Sequence, residues 1–217
     1  ACINGQGFFA TQAISTKEID VDGDAADVTD ALKEAEFAYT RVGQFQLDSQ
    51  GYLTDGTNFI YGFRPDGNNG FETGSLVALR VPSDLNNGFD DDALQAASVK
   101  INELGEVTAT VTNPDNGESV QVSLGKIAIV TFQNQEGLMK SGGTYYSASI
   151  GDNTGLCSAT IPGGSTSKLM TGYLEASNVD LAKEFSEMIT TQRGFQANTK
   201  MITVSDEILS DLISMKR

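Results

Sequence analysis

The densest group of potential ligands in the sequence is the acidic run Asp20-Val-Asp-Gly-Asp24. Carboxylates at alternate positions match the start of a calcium-binding loop. Such a loop continues with a glycine at its sixth position and a bidentate Glu at its twelfth, but these positions hold Ala25 and Ala31. We therefore interpret the run as a solvated acidic loop, and we predict no metal site and no cofactor.

Other chemistry is limited by composition. The chain has 0 histidines, which removes the Ser-His-Asp triad, the Cys-His dyad and His-based metal sites. The Gly5-Gln-Gly7 stretch lacks the third glycine and the helix of a dinucleotide fingerprint, so we interpret it as a turn between strands. Cys2 and Cys157 form no CxxC motif and could be free thiols or a single bridge, free and partly buried being the default. We predict no catalytic residue, and an enzyme is the least favoured function.

The charge of the chain bears on its partners. Acidic residues outnumber basic ones 29 to 14, which gives a formal net charge of -15 at pH 7. A surface of this sign repels nucleic-acid phosphates and anionic membranes, so we predict neither as a partner. The sequence also contains no apolar run long enough to span a bilayer.

The first 160 residues have the pattern of a mainly β protein. Short runs rich in β-branched and aromatic residues alternate with Gly, Asn and Asp turns, which predicts an irregular antiparallel β-domain over 1–160. The clearest hairpin pairs Val107–Thr112 with Ser119–Leu124. An acidic segment near 11–36 is expected to hold a short helix near Val28–Glu36. Gly151–Ser167 is expected to be a loop, and 161–176 a linker.

Residues 177–217 have a different character and predict a long C-terminal α-helix. Ser177 and Asn178 are N-cap candidates, and Asp180 and Glu184 favour the positive end of the helix dipole. At 1.5 Å per residue, a helix from Val179 onward would be roughly 58 Å long. A helix of this length exceeds what a small β-domain needs for its own packing.

The apolar residues of this segment recur with the 3.5-residue period of a coiled coil. We predict that they form a subunit-packing seam: Leu181, Phe185, Met188, Phe195, Ile202, Leu209 and Ile213. Polar residues interrupt the seam at Gln192, Thr199 and Asp206, and a second apolar set widens it toward the C-terminus. Because such a face is insoluble alone, we expect it to pack against other helices rather than only on its own β-domain.

Several ordered motifs make the chain resemble the bacterial flagellar hook and basal-body rod protein family. The C-terminal motif runs from Gly172 to Leu181 and continues through Gln192-Arg-Gly-Phe-Gln-Ala-Asn198. Near the start, Gly5-Gln-Gly-Phe-Phe9 and Tyr39-Thr-Arg-Val-Gly43 resemble the opening strands of the family. The motif residues are Gly7, Phe8, Phe9, Tyr39, Arg41, Gly43, Ser177, Asn178, Val179, Asp180, Gln192, Arg193 and Asn198.

This resemblance implies a structural, self-assembling subunit whose β-domain lies in an outer layer and whose terminal helix lies in the core. Within the family the C-terminal motif looks more like the hook protein, which implies a flexible tube that transmits torque from motor to filament. The implied partners are other hook subunits, the hook cap, and rod and hook-filament junction proteins. The implied location is extracellular, on the flagellum, after export by the flagellar type III pathway.

The chain departs from the family pattern in two respects, and two alternatives to the hook function stay open. Residues 11–36 look like an insertion relative to the family, and we expect the N-terminal helix that partners the C-terminal one to be absent from this chain. The alternatives are a distal rod subunit of the basal body and a secreted β-rich binding module with a helical tail.

Overall fold

The computed structural model describes residues 1–66, 70–82, 96–112, 119–163, 167–176 and 179–215. The chain divides into two compact units. We call Ala1–Glu175 the β unit and Ala176–Arg217 the helical unit. The predicted fold class, mainly antiparallel β followed by a long C-terminal helix, is confirmed.

The strands of the β unit are short. In the described residues they are β1 Cys2–Asn4, β2 Phe8–Gln12, β3 Ile19–Asp20, β4 Ala38–Thr40, β5 Gln46–Leu47, β6 Leu53–Thr54, β7 Phe59–Phe63, β8 Ser75–Ala78, β9 Ala96–Ile101, β10 Glu106–Thr112, β11 Ser119–Ile127, β12 Ile129–Phe132, β13 Met139–Gly142, β14 Tyr145–Ser147, β15 Cys157–Thr160 and β16 Lys168–Met170. A 3₁₀ turn spans Gln135–Gly137, and the two α-helices are α1 Ala25–Glu34 and α2 Leu181–Met215.

All strand pairs are antiparallel and fall into two sheets in the described residues. The large sheet has the central order β13-β14-β4-β2-β7-β11-β10-β9, and β12 joins it through β2 and also pairs with β15. The second sheet consists of β1 and β16 alone, with Ile3 opposite Leu169. The predicted β10–β11 hairpin is present and pairs Thr112 with Ser119, and its connecting turn lies outside the described residues.

Alternating side chains divide the interior into two clusters. In β10, Val107, Ala109 and Val111 are fully buried while the threonines between them are partly exposed, as expected for a strand with one covered face. One cluster is mostly aliphatic and includes Leu53, Ile60, Leu79, Val107 and Ile127. The other is aromatic and includes Phe8, Phe37, Tyr39, Tyr61 and Phe132.

The acidic segment 11–36 contributes to the core through α1. Val28 and Leu32, one turn apart, are buried, whereas Asp27, Asp30 and Glu34 are exposed. This pattern is that of an amphipathic surface helix. The helix was expected near Val28–Glu36 but begins at Ala25 and ends at Glu34.

Two predicted irregular segments contain strands. Gly151–Ser167 was expected to be a loop, but Cys157–Thr160 pairs with β12. Residues 161–176 were expected to be a linker, but Lys168–Met170 pairs with β1 and Leu169 is buried. Both strands are only three or four residues long, and the segment between them contains Pro162, Gly163 and Gly164, so the local composition predicted irregular structure.

Gly7 lies where the backbone passes close to another strand. Its φ is +117°, and a Cβ atom there would lie 2.4 Å from Ile129 Cγ2 and 3.1 Å from the Val130 carbonyl oxygen. Phe8 and Phe9 follow directly and point into the two different clusters, as consecutive strand residues do. Gly7 therefore allows the two aromatic rings to enter both cores.

We predict that Gly7→Ala lowers the free energy of unfolding by about 1–3 kcal/mol, because it adds a clash to an unfavourable φ. Gly142→Ala is the matched control, since its φ is also +117° but nothing lies within 4 Å of the added Cβ. Chemical denaturation of both variants measures the difference. Equal losses in the two variants would contradict a role for the contact with Ile129.

Candidate subunit interface and the residues that support the β unit

Helix α2 begins with a side-chain cap supplied by Asp180. The Asp180 Oδ1 atom accepts hydrogen bonds from the backbone N–H of Ala182 at 2.9 Å and of Lys183 at 3.3 Å. The Asp180 carbonyl accepts the first helical bond from Glu184 at 3.0 Å. This is the geometry of an N-cap residue. Asp180, predicted only to favour the dipole, therefore caps the helix, while the predicted caps Ser177 and Asn178 lie outside the described residues.

The predicted seam lies wholly on the surface of α2. No described residue of α2 is buried, and its large apolar side chains are between 43% and 83% exposed. They include all seven predicted packing residues and a second set toward the C-terminus: Ile189, Met201, Val204, Ile208, Leu212 and Met215. The motif residues Gln192, Arg193 and Asn198 also lie in α2 and are exposed, as is Val179 just before it. The described chain thus presents an apolar helix surface that it does not itself cover.

One polar break in the seam is compatible with an apolar environment. The Thr199 hydroxyl donates to the Phe195 carbonyl at 3.0 Å, one turn earlier. Because the helix itself satisfies this hydroxyl, burying Thr199 against a partner does not orphan a polar group. The exposed Lys183–Glu187 pair, at 4.0 Å, adds a weak contact along the first turns.

The motif residues of the opening strands support the β unit from inside. Tyr39 is fully buried, its ring makes an edge contact with Phe132 at 4.8 Å, and its hydroxyl donates to the Leu32 carbonyl at 3.3 Å. Burial raises the pKa of Tyr39 well above its ordinary value. At Gly43 the backbone meets Ala1, whose backbone nitrogen donates to the Gly43 carbonyl at 2.7 Å. These residues serve packing and offer no exposed reactive group.

Arg41, just after β4, binds several acceptors at once. Its Nε donates to Glu175 Oε2 at 2.8 Å and its Nη1 to the Gly7 carbonyl at 3.2 Å. Its Nη2 donates to the carbonyls of Ile3 at 3.2 Å and Gly5 at 3.1 Å. The planar fork of a guanidinium suits such multiple recognition. Residues from the start and the end of the β unit therefore meet on one side chain.

The contact between α1 and the region around β15 includes a buried ion pair that sequence reasoning missed. Lys33 Nζ lies 2.8 Å from Asp152 Oδ1, and both side chains are 7% exposed. Burial alone would raise the pKa of Asp152, but hydrogen bonds from Lys33, Thr154 and two backbone amides outweigh it and lower the pKa to about 2. The partners are 119 residues apart in sequence, so no local pattern links them.

A second contact ties α1 to β15 through Thr29. The Thr29 Oγ1 atom accepts from the Cys157 backbone N–H at 3.0 Å and lies 2.6 Å from the Ala25 carbonyl, to which it donates. Cys157 and Cys2 are both free thiols, Cys157 buried and Cys2 partly exposed. Burial raises the pKa of the Cys157 thiol, which disfavours the reactive thiolate.

The acidic run 20–24 forms a local hydrogen bond and is not part of a cluster of metal-binding side chains in the described residues. The Asp20 Oδ1 atom accepts from the Asp22 backbone N–H at 2.9 Å. In the part of the chain that the structure describes, no three acidic or sulfur-bearing side chains are grouped so as to hold a metal ion. The same residues include no helix that is apolar and long enough to cross a membrane.

One open cavity of the β unit lies beside Cys157. Its described lining consists of Asn4, Gly5, Gln6, Ala25, Thr131, Phe132, Gln133, Leu156, Cys157, Ser158 and Ser167. Apart from the Cys157 thiol, this lining offers amides and hydroxyls but no carboxylate, amine or imidazole. The cavity therefore lacks the paired groups that general acid-base catalysis requires.

A packed β unit and a helix with an uncovered apolar seam define the class of an assembly subunit. Comparison with known proteins specifies the assembly. The family model described as "Flagellar basal body rod FlgEFG protein C-terminal" matches residues 170–215. The chain is 38% identical over 213 residues to the flagellar basal-body rod protein FlgG of Bacillus subtilis, covering 96% of this chain and 69% of that protein. The chain belongs to the flagellar hook and basal-body rod protein family.

Relatives carry both names within this family. The rod protein FlgG of Buchnera aphidicola (from Acyrthosiphon pisum) is 30% identical over 211 residues, which are 97% of this chain and 62% of that protein. The hook protein FlgE of Treponema pallidum is 40% identical over 119 residues, but these are 54% of this chain and 24% of that protein. The chain thus resembles rod proteins over nearly all its length and the hook protein over about half.

We predict that the ion pair between Lys33 and Asp152 makes stability depend on pH below 4. The pKa of Asp152 is about 2 in the folded state and 3.8 ordinarily, so its contribution is present above pH 4 and is lost as pH falls toward 2. The size is about 2 kcal/mol, from 1.36 kcal/mol per pKa unit.

Urea unfolding of the wild type and of Asp152→Asn at pH 7, 4 and 2.5 tests this prediction. At pH 7 the variant is expected to be less stable by about 3–5 kcal/mol, since it leaves Lys33 buried without its counter-ion. This difference should shrink as pH falls below 4. A difference that stays constant between pH 7 and 2.5 would contradict the assignment.

Proposed function

We propose that the chain is a structural subunit of the bacterial flagellar hook, polymerising helically into the tube that transmits torque from motor to filament. The observation that carries the proposal is the uncovered apolar seam of α2, within the segment that matches the C-terminal family model. Contacts between different surface patches of identical subunits generate an open helical filament when the rotation between subunits does not close into a ring. An apolar seam with three polar breaks, on a helix of 35 residues, supplies such a surface.

Different observations support assignment as a hook subunit and assignment as a rod subunit. The hook reading is supported by the Gln192-Arg-Gly-Phe-Gln-Ala-Asn198 motif and by 40% identity to the Treponema hook protein, although only over about half of the chain. The rod is a second candidate, supported by the match to FlgG of Bacillus subtilis over 96% of this chain. Both candidates use α2 in the same way and differ in where the subunit is found.

The proposed partners follow from this assignment. They are other copies of the chain, the hook cap, and rod and hook-filament junction proteins, and the site is extracellular after export by the flagellar type III pathway. Residues 1–160 would form the outer β-domain and 177–217 the polymerisation helix. A secreted binding module explains the packed β unit but gives no reason for the seam on α2. A non-enzymatic role is supported by the absence of histidine and by relatives named as hook and rod proteins.

We predict that Phe195→Asp abolishes assembly and leaves the β unit unchanged. Phe195 is 74% exposed in the single chain, so the substitution costs the monomer little, but it would place a charge in the assembled seam. Thr190→Asp is the matched control, because Thr190 lies about 140° away around the helix. Electron microscopy of isolated flagellar structures and thermal unfolding of the purified chain give the two readouts. Normal assembly by Phe195→Asp would contradict the role of the seam.

The hook assignment itself is tested by deleting the gene and imaging the cells. A hook subunit predicts that basal bodies with complete rods remain while hooks and filaments are missing. Loss of the distal rod together with the hook would instead support the rod assignment. Intact hooks and rods would contradict both and favour a binding module.

A further inference from the structure

The first and last strands described in the β unit, β1 and β16, form a two-stranded sheet. β1 and β16 pair only over Cys2–Met170, Ile3–Leu169 and Asn4–Lys168. Leu169 adds one bond from its backbone N–H to the Glu103 carbonyl at 3.2 Å. Beyond Met170 the chain continues along residues 171–176 to the helical unit. In the described residues, the β1–β16 ladder is therefore the first strand pairing that a force from the helical unit meets along the covalent chain.

This ladder is too short to resist much force. It has only three residue pairs and one further backbone bond from Leu169 to Glu103. Few hydrogen bonds therefore oppose the separation of β16 from β1. A second attachment between residues 171–175 and the large sheet would protect this pairing.

Arg41 supplies that attachment. Its side chain binds the Glu175 carboxylate at 2.8 Å, five residues beyond Met170 and at the end of the β unit. The same guanidinium binds the carbonyls of Ile3, Gly5 and Gly7, on both sides of the turn between β1 and β2. Its Cζ atom also lies 5.9 Å from the centre of the Phe8 ring. One side chain thus joins Glu175, at the end of the β unit, to residues 3–7 near its start.

The backbone of Arg41 is anchored in the large sheet. Arg41 follows Thr40 of β4, and β4 pairs with β2 on one side and β14 on the other. Thr40 is fully buried and is paired with both Phe9 and Tyr145. Force on Glu175 that passes through Arg41 therefore reaches an interior strand of the sheet without crossing the β1–β16 ladder.

We propose that Arg41 is a mechanical clamp that diverts force from the helical unit into the large sheet and so keeps β1 and β16 paired under load. The proposal rests on the proposed function, because only a subunit that transmits torque needs it. An exposed ion pair adds little equilibrium stability, so the clamp acts locally and not on the global fold. Lysine cannot replace arginine here, since an ammonium group lacks the fork that reaches several acceptors together.

The first test measures local opening in the purified full chain and does not depend on the function. Amide hydrogen exchange of Arg41→Gln, Arg41→Lys and Glu175→Gln is compared with the wild type over residues 2–7 and 167–175. Arg80→Lys is the control, because Arg80 also binds a carbonyl, that of Gln50 at 3.1 Å, and lies over an aromatic ring, that of Tyr52. We expect about tenfold faster exchange in those two segments for the Arg41 variants, a smaller effect for Glu175→Gln, and none for Arg80→Lys.

Unchanged exchange in the two segments overturns the clamp, and so does an equal acceleration throughout the β unit, which is general destabilisation. The second test measures swimming of cells that carry Arg41→Lys in media of increasing viscosity. We expect normal assembly and normal swimming at low viscosity but loss of swimming at high viscosity, relative to Arg80→Lys. Wild-type behaviour at every viscosity overturns the mechanical role. If deletion leaves hooks and rods intact, the proposed function fails, while the exchange result still reports whether Arg41 holds the ladder.

Discussion

Burial of apolar side chains distinguishes the two units of the chain. The β unit completes both of its cores with residues of 1–175, while α2 contributes no buried residue. In proteins, a helix gains most of its stability by packing its apolar face against other residues. Helix α2 instead presents its apolar side chains to solvent. The β unit therefore buries its own apolar side chains, while the large apolar side chains of α2 remain exposed. The proposed assembly would cover them.

Within the β unit, long-range polar contacts determine which segments stay together. The pair of Lys33 and Asp152 and the bonds between Thr29 and Cys157 hold α1 and β15, which lie far apart in sequence. Arg41 likewise joins Ile3, near the start of the β unit, to Glu175 at its end. In each case polar side chains join segments that are more than 100 residues apart in sequence.

Sequence patterns predicted the elements that have strong periodicity. The alternation around Val107 and Val111 corresponds to strand β10, and the segment with the 3.5-residue period forms helix α2. The packing role of that period stays a prediction. The strands β15 and β16 were not predicted, because three or four residues beside Gly and Pro are too few to show a hydrophobic period. The acceptors of Arg41 were not predicted either, since three of them are backbone carbonyls whose positions depend on the fold. The family resemblance identified Arg41 as a motif residue but not what it binds.

The proposed assembly requires the apolar face of α2 to be exposed in the dissociated chain and covered by other subunits after polymerisation. Amide hydrogen exchange of α2 can be compared between the dissociated chain and isolated flagellar structures. We expect weak protection across 181–215 in the dilute chain and about hundredfold slower exchange after assembly. Full protection of α2 in the dilute chain, or no gain of protection on assembly, would overturn the role of this face.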